Sequence, residues 1–144
     1  AQVKKFVTLI LTAHIAENKR EELTEMSIIR ARFCENIASN ITPQLSDEAF
    51  ILGLFSLLDV ILDQPMADLV KELPVTEDIA AALIGHDNIL GKTFTLSKAY
   101  EAANWESVRQ ISLDLNINPD LLPEYYVDAV GWAKIYEESS DSQI

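Results

Sequence analysis

The sequence predicts an all-α fold, a multi-helix bundle of about seven or eight helices joined by short connections. Three observations carry this. Apolar residues recur at helical spacing in one segment after another. No stretch alternates in the manner of a half-buried strand. Four Gly and five Pro in 144 residues are too few for a turn-rich β fold.

Taken in order, Val3, Phe6, Val7, Ile10, Leu11 and Ile15 predict a first helix over residues 2 to 17. From Glu21 to Ile41, 100° steps place Leu23, Met26, Phe33, Cys34, Ile37 and Ile41 on one face. Glu25, Arg32, Glu35 and Asn36 fall outside it. Pro43 stops that helix, and Ser46 followed by acids reads as the next N-cap. Residues 49 to 62, "AFILGLFSLLDVIL", are apolar nearly all round and predict the central buried helix. Ala49, Gly53 and Ser56 form a stripe of small side chains there, suited to close approach by another helix.

Pro65 ends that segment, and residues 66 to 73 form a short helix before Pro74. Thr76 caps the next one, with acids in its first turn to suit the helix dipole. Phe94, Leu96, Ala99 and Tyr100 mark a helix that Asn104 breaks. Trp105, Val108, Ile111 and Leu115 mark another, with Leu113 off its apolar side. Asn118 and Pro119 open the last helix as cap and first helical residue. The domain is expected over residues 1–138, with 139–144 a frayed tail.

The charge narrows the partners. With 23 acids against 11 bases the net charge is −12. Such a surface repels phosphate backbones and anionic lipid, so neither nucleic acid nor a membrane surface is expected as a partner. No apolar run reaches the roughly 20 residues of a membrane span. A single cysteine, Cys34, fits a reducing cytoplasm, and no small-residue cleavage pattern follows the apolar start. The chain opens at Ala1 inside what already reads as a helix, which predicts a segment of a longer protein.

One motif raises an enzymatic question. "LIGHDNILG", residues 83 to 91, contains the adjacent His86-Asp87 pair that metal phosphohydrolases use. A metal needs further rigidly held ligands. The only other histidine is His14. Gly85 reads as a residue just past a helix end, and Asp87-Asn88 as turn and cap chemistry. The expectation is a turn, with no metal, cofactor or catalytic residue. The alternative is a site built from His14, His86 and Asp87. Cys34 lies on an apolar face and reads as a buried structural thiol. Tyr125, Tyr126 and Trp132 read as core. Arg30 falls in the middle of the apolar face of its helix, where a charge must be paired or reach water. Asp59, the lone charge in its apolar segment, is its expected buried partner.

"IIRARFCENIA", "AFILGLFSLLDVIL" and "ELPVTEDIAAALIGHDNILG" together resemble the C-terminal half of the HDOD region of bacterial EAL-HDOD signal-transduction proteins. The similarity runs from about residue 5 to residue 138. It implies an HD-domain-like fold and a cytoplasmic module linked to cyclic-di-GMP through an EAL domain absent from this chain. HDOD domains resemble HD phosphohydrolases but generally lack their metal-binding residues, and the resemblance places His86-Asp87 out of register with any inherited dyad. The expected role is therefore a non-catalytic regulatory or interaction module. Its partner would be the EAL domain, another protein, or a second copy of itself. A metal-dependent HD-type phosphohydrolase and a small-ligand sensor are the competing readings.

Overall fold

The computed structural model describes the backbone of residues 21–142 and the side chains of residues 22–136. The helix expected over residues 2 to 17, and with it His14, lies outside them. All regular structure among the described residues is helical, in keeping with the expected all-α bundle. The α-helices are α1 (Glu21–Ile41), α2 (Ser46–Phe55), α3 (Leu58–Leu62), α4 (Met66–Leu69), α5 (Glu77–Leu83), α6 (Ile89–Glu101), α7 (Trp105–Leu115) and α8 (Leu122–Ser142). Short 3-10 turns at Pro43–Leu45 and Pro119–Leu121 precede α2 and α8. The last helix continues through Ser142, past position 138 where the sequence reading ends the domain.

The helix starts follow from local chemistry. Thr76, Asn88 and Asn104 each accept a backbone N–H from the residue three further on, at 3.3, 2.7 and 3.3 Å. Each bond satisfies one of the donors a helix leaves unpaired at its start. Asn118 does the same for the Pro119 turn, accepting from Asp120 at 3.0 Å. Ser46 differs from its expected role. Leu45 is the cap residue of α2, and the Ser46 hydroxyl donates to the Pro43 carbonyl from inside the first turn.

The centre of the molecule is α1, not the segment 49 to 62. Helices α2, α6 and α8 all pack against α1. Two apolar clusters meet it from different sides. Ile28, Ala31, Cys34 and Ala38 join residues of α2, α5 and α6 in one. Phe33 and Ile37 join Leu96, Val108, Leu115, Leu122 and Ala129 in the other. Burial on both sides leaves α1 little free surface for its polar residues.

Segment 49 to 62 is broken at Ser56 and Leu57 into α2 and α3. The Ser56 N–H bonds the Gly53 carbonyl in a tightened last turn, and its hydroxyl donates to the same oxygen at 2.7 Å. Leu57 then leaves helical backbone, at φ −110° and ψ 7°. Beyond the break, Val60 and Leu62 reach solvent. Of the small-residue stripe, Gly53 does its expected work upstream of the break. A Cβ at Gly53 would lie 2.7 Å from both the Ala31 Cα and the Arg30 carbonyl, so α1 and α2 touch backbone to backbone there.

Candidate functional site

His86 and Asp87 lie at the surface in the link between α5 and α6. Gly85 adopts φ +103°, open to glycine at little cost. The His86 N–H reaches back to the Ala81 carbonyl at 3.0 Å, and the Gly85 N–H to Ala82 at 3.2 Å. This pair of bonds is the Schellman closure of a helix end. Asn88 then caps α6, and its side-chain amide donates to the Asp78 carbonyl at 3.1 Å. The backbone at His86 rests against Gly91, where a Cβ would overlap its carbonyl oxygen. "GHDNILG" is thus used throughout as a helix-to-helix joint. No three His, Cys, Asp or Glu side chains converge on a metal-binding geometry among the described residues.

The polar side chains that do converge surround Arg30. Its residue is 7% exposed, as the helical plot places it. The carboxylate it meets is Glu101, not Asp59. Arg30 Nε donates to Glu101 Oε2 at 3.0 Å and Nη2 to Oε1 at 2.7 Å, a two-bond fork. Nη1 donates to the Ser56 hydroxyl at 3.1 Å. Asp59 follows the break in its helix and accepts the N–H of Val60 at 2.9 Å. The break removes it from the expected pairing. Arg30, Glu101 and Ser56 therefore pin α1, the end of α6 and the end of α2 at one point.

Burial opposes the charge on Arg30, but the bonds and charge of Glu101 outweigh it and raise the guanidinium above its ordinary range. Lys98 stands nearby, its ammonium 4.1 Å from the centre of the Phe94 ring, and the Arg30 guanidinium lies 5.9 Å from the same ring. Burial and then the charge of Arg30 lower Lys98. Cys34 is fully buried, and burial pushes its thiol up to about 12 despite a hydrogen bond involving Ser97.

The opposite side of α1 carries a second network, built from residues that fall outside the apolar face read from the sequence and are covered here by α8. Glu35 is 6% exposed. Arg32 bonds Glu35 Oε1 at 2.8 Å and Asp128 Oδ2 at 2.9 Å. The Asn36 amide donates to the same Asp128 oxygen at 2.9 Å and to the Tyr125 carbonyl at 3.1 Å. These bonds fasten α8 along α1. Tyr126 packs edge-on against Phe33, and Trp132 against Phe50, so both rings serve packing. A shallow depression is lined by Asp59, Val60, Asp63, Gln64 and Pro65. Its two carboxylates disfavour phosphate.

With this geometry in place, the chain can be set beside known proteins. It matches about a third of a cyclic di-GMP phosphodiesterase. That protein is CdgJ of Vibrio cholerae serotype O1, 31% identical over 134 residues, which cover 92% of this chain and 31% of CdgJ. The uncharacterized protein YuxH of Bacillus subtilis is 25% identical over 134 residues, covering 91% of this chain and 32% of YuxH. The chain thus spans about a third of the length of the curated relatives it matches. No family model and no solved structure matches it.

Glu101 is the site residue that sequence reasoning missed. It lies 71 positions from Arg30 and ends its helix. Its one legible signal is a carboxylate one position after Tyr100, at the margin of an apolar face.

Proposed function

We propose that this chain is a non-catalytic regulatory module of HDOD type within a larger cyclic-di-GMP signalling protein. It acts through an EAL domain elsewhere in that protein. The observation that carries this reading is the match of nearly the whole chain to about a third of a cyclic di-GMP phosphodiesterase. The use of His86 and Asp87 in a helix joint supports the non-catalytic half. So does the engagement of Arg30, Glu101, Arg32 and Asp128 in ion pairs between helices. A bacterial cytoplasmic location goes with the reading. No helix among the described residues is long and apolar enough to cross a membrane.

The non-catalytic half is tested by incubating the purified chain with cyclic di-GMP and divalent metal, alongside elemental analysis for bound metal. No turnover is expected, and His86→Ala should fold as the parent does. Hydrolysis that His86→Ala abolishes, with one metal per chain lost in the variant, would overturn the reading in favour of the HD-type enzyme.

A further inference from the structure

The first turns of α1 are buried on one side only. Thr24 and Ser27 are 6% and 1% exposed, and with Ala31 they fall within about 60° around the helix. On the other side Met26 is 44% exposed and Glu22 reaches solvent. The neighbours of α1 end before this stretch. Gly53 rests on the backbone of Arg30 and Ala31, and α2 ends at Phe55 two residues later. Glu101, which bonds Arg30, is the last residue of α6. Among the described residues, the side-chain bonds from α1 to α8 run from Arg32 to Asn36. Thr24 lies six residues before Arg30, about 9 Å along the axis. Its burial needs a cover beyond those helix ends.

The chain immediately upstream has the form of that cover. On 100° steps Val3, Val7, Ile10, Leu11 and His14 fall within about 100° of one another. The helix expected over residues 2 to 17 thus carries an apolar stripe of its own, and tertiary packing of such a stripe is what stabilises a short helix in water. Only residues 18–20 separate it from α1, and a link that short joins antiparallel neighbours. Counting back across the link sets Leu11 about level with Ser27 and Val7 about level with Ala31. Large side chains then meet small ones, which lets two helices approach closely. Charge agrees. Residues 1–20 hold four of the 11 bases and one of the 23 acids, a net +3 against −15 for the rest of the chain.

We propose that residues 2–17 fold back along α1 as the first arm of an antiparallel helical hairpin, with Val7 and Leu11 seated on Thr24, Ser27 and Ala31. The occupant of this face is therefore the chain's own basic segment, laid on an acidic body. The short link holds it at high effective concentration, so the contact does not depend on protein concentration.

Double-cysteine variants of the 144-residue chain test this. Leu11→Cys with Ser27→Cys places two thiols across the contact, within disulfide reach. Thr12→Cys with Ser27→Cys is the control, because Thr12 is turned about 100° from Leu11. Cys34 is buried and about 10 Å along the helix from Ser27, so it stays out of the reaction. The expected result is a bond within one chain that forms at least tenfold faster with Leu11→Cys than with Thr12→Cys. Hydrogen exchange of the residue 6–15 amides in the parent should be slow at every protein concentration. Val7→Asp should speed it at least tenfold, and Thr12→Asp should not, a comparison that decides the matter if a cysteine pair prevents folding. Equal crosslinking rates, a bond formed between chains, or free-peptide exchange across residues 6–15 of the parent would overturn the proposal.

Discussion

Arg30 and Arg32 lie two residues apart on α1 and leave it about 200° apart around the helix axis. Arg30 enters the side held by α2 and α6, and Arg32 the side held by α8. Each ends on a carboxylate from a distant part of the chain. The environments differ sharply. The side chains of Arg30 and Glu101 are 9% and 20% exposed, whereas those of Arg32 and Asp128 are 29% and 50% exposed. The central helix is packed on both of these sides, so a charge on either must find a partner. How far water reaches the pair then sets what breaking it costs.

The largest effect should come from Glu101→Ala. It strands a buried guanidinium and should cost about 3 kcal/mol, near the lower end for such a loss because part of Glu101 reaches water. Arg30→Met with Glu101→Leu should recover much of that, since an apolar pair leaves no charge to desolvate. Chemical denaturation of the two variants beside the parent measures both. A double variant less stable than Glu101→Ala would contradict the stranded charge as the cause of the loss.

Asp128→Asn should cost less, about 1 kcal/mol or under, because water screens the pair. Its pH dependence sharpens the contrast. Burial pushes the Asp128 carboxyl up, but hydrogen bonds from Asn36 and Arg32 and the charge of Arg32 outweigh it and hold it below the usual range. A depressed carboxylate contributes stability above its unfolded pKa of about 3.9 and loses it as pH falls through the lower folded value. The Tm difference between parent and Asp128→Asn should therefore be steady at neutral pH and close below about pH 4. A difference that persists in acid would contradict this.

The smallest effect separates the ion pair from the turn beside it. Ala103 holds φ 57°, in left-handed backbone two residues after Glu101. Ala103→Gly relieves that strain and should stabilise by about 0.5–1 kcal/mol in thermal unfolding. Destabilisation would mean that the turn, and not the carboxylate alone, sets the geometry at Arg30.

Much of this was legible in the sequence, for local reasons. Thr76, Asn88, Asn118 and Gly85 act within three or four residues of themselves, so type and position suffice to read them. Gly53 was legible as a close-approach residue, and Arg30 as a buried charge, because each follows from angle around one helix. Which carboxylate meets Arg30 was not. That depends on where α6 ends against α1, a tertiary fact no spacing encodes. The break at Ser56 had the same cause, for an unbroken apolar run offers no punctuation. The second network was hidden because Arg32, Glu35 and Asn36 read as solvent-facing until α8 covers them.

The measurement that tests the central claim most directly is cyclic di-GMP hydrolysis by the longer protein with and without residues 1–144. A regulatory module predicts that removing it changes the rate or the assembly of the remaining protein while the chemistry survives. Unchanged rate and assembly would contradict the account.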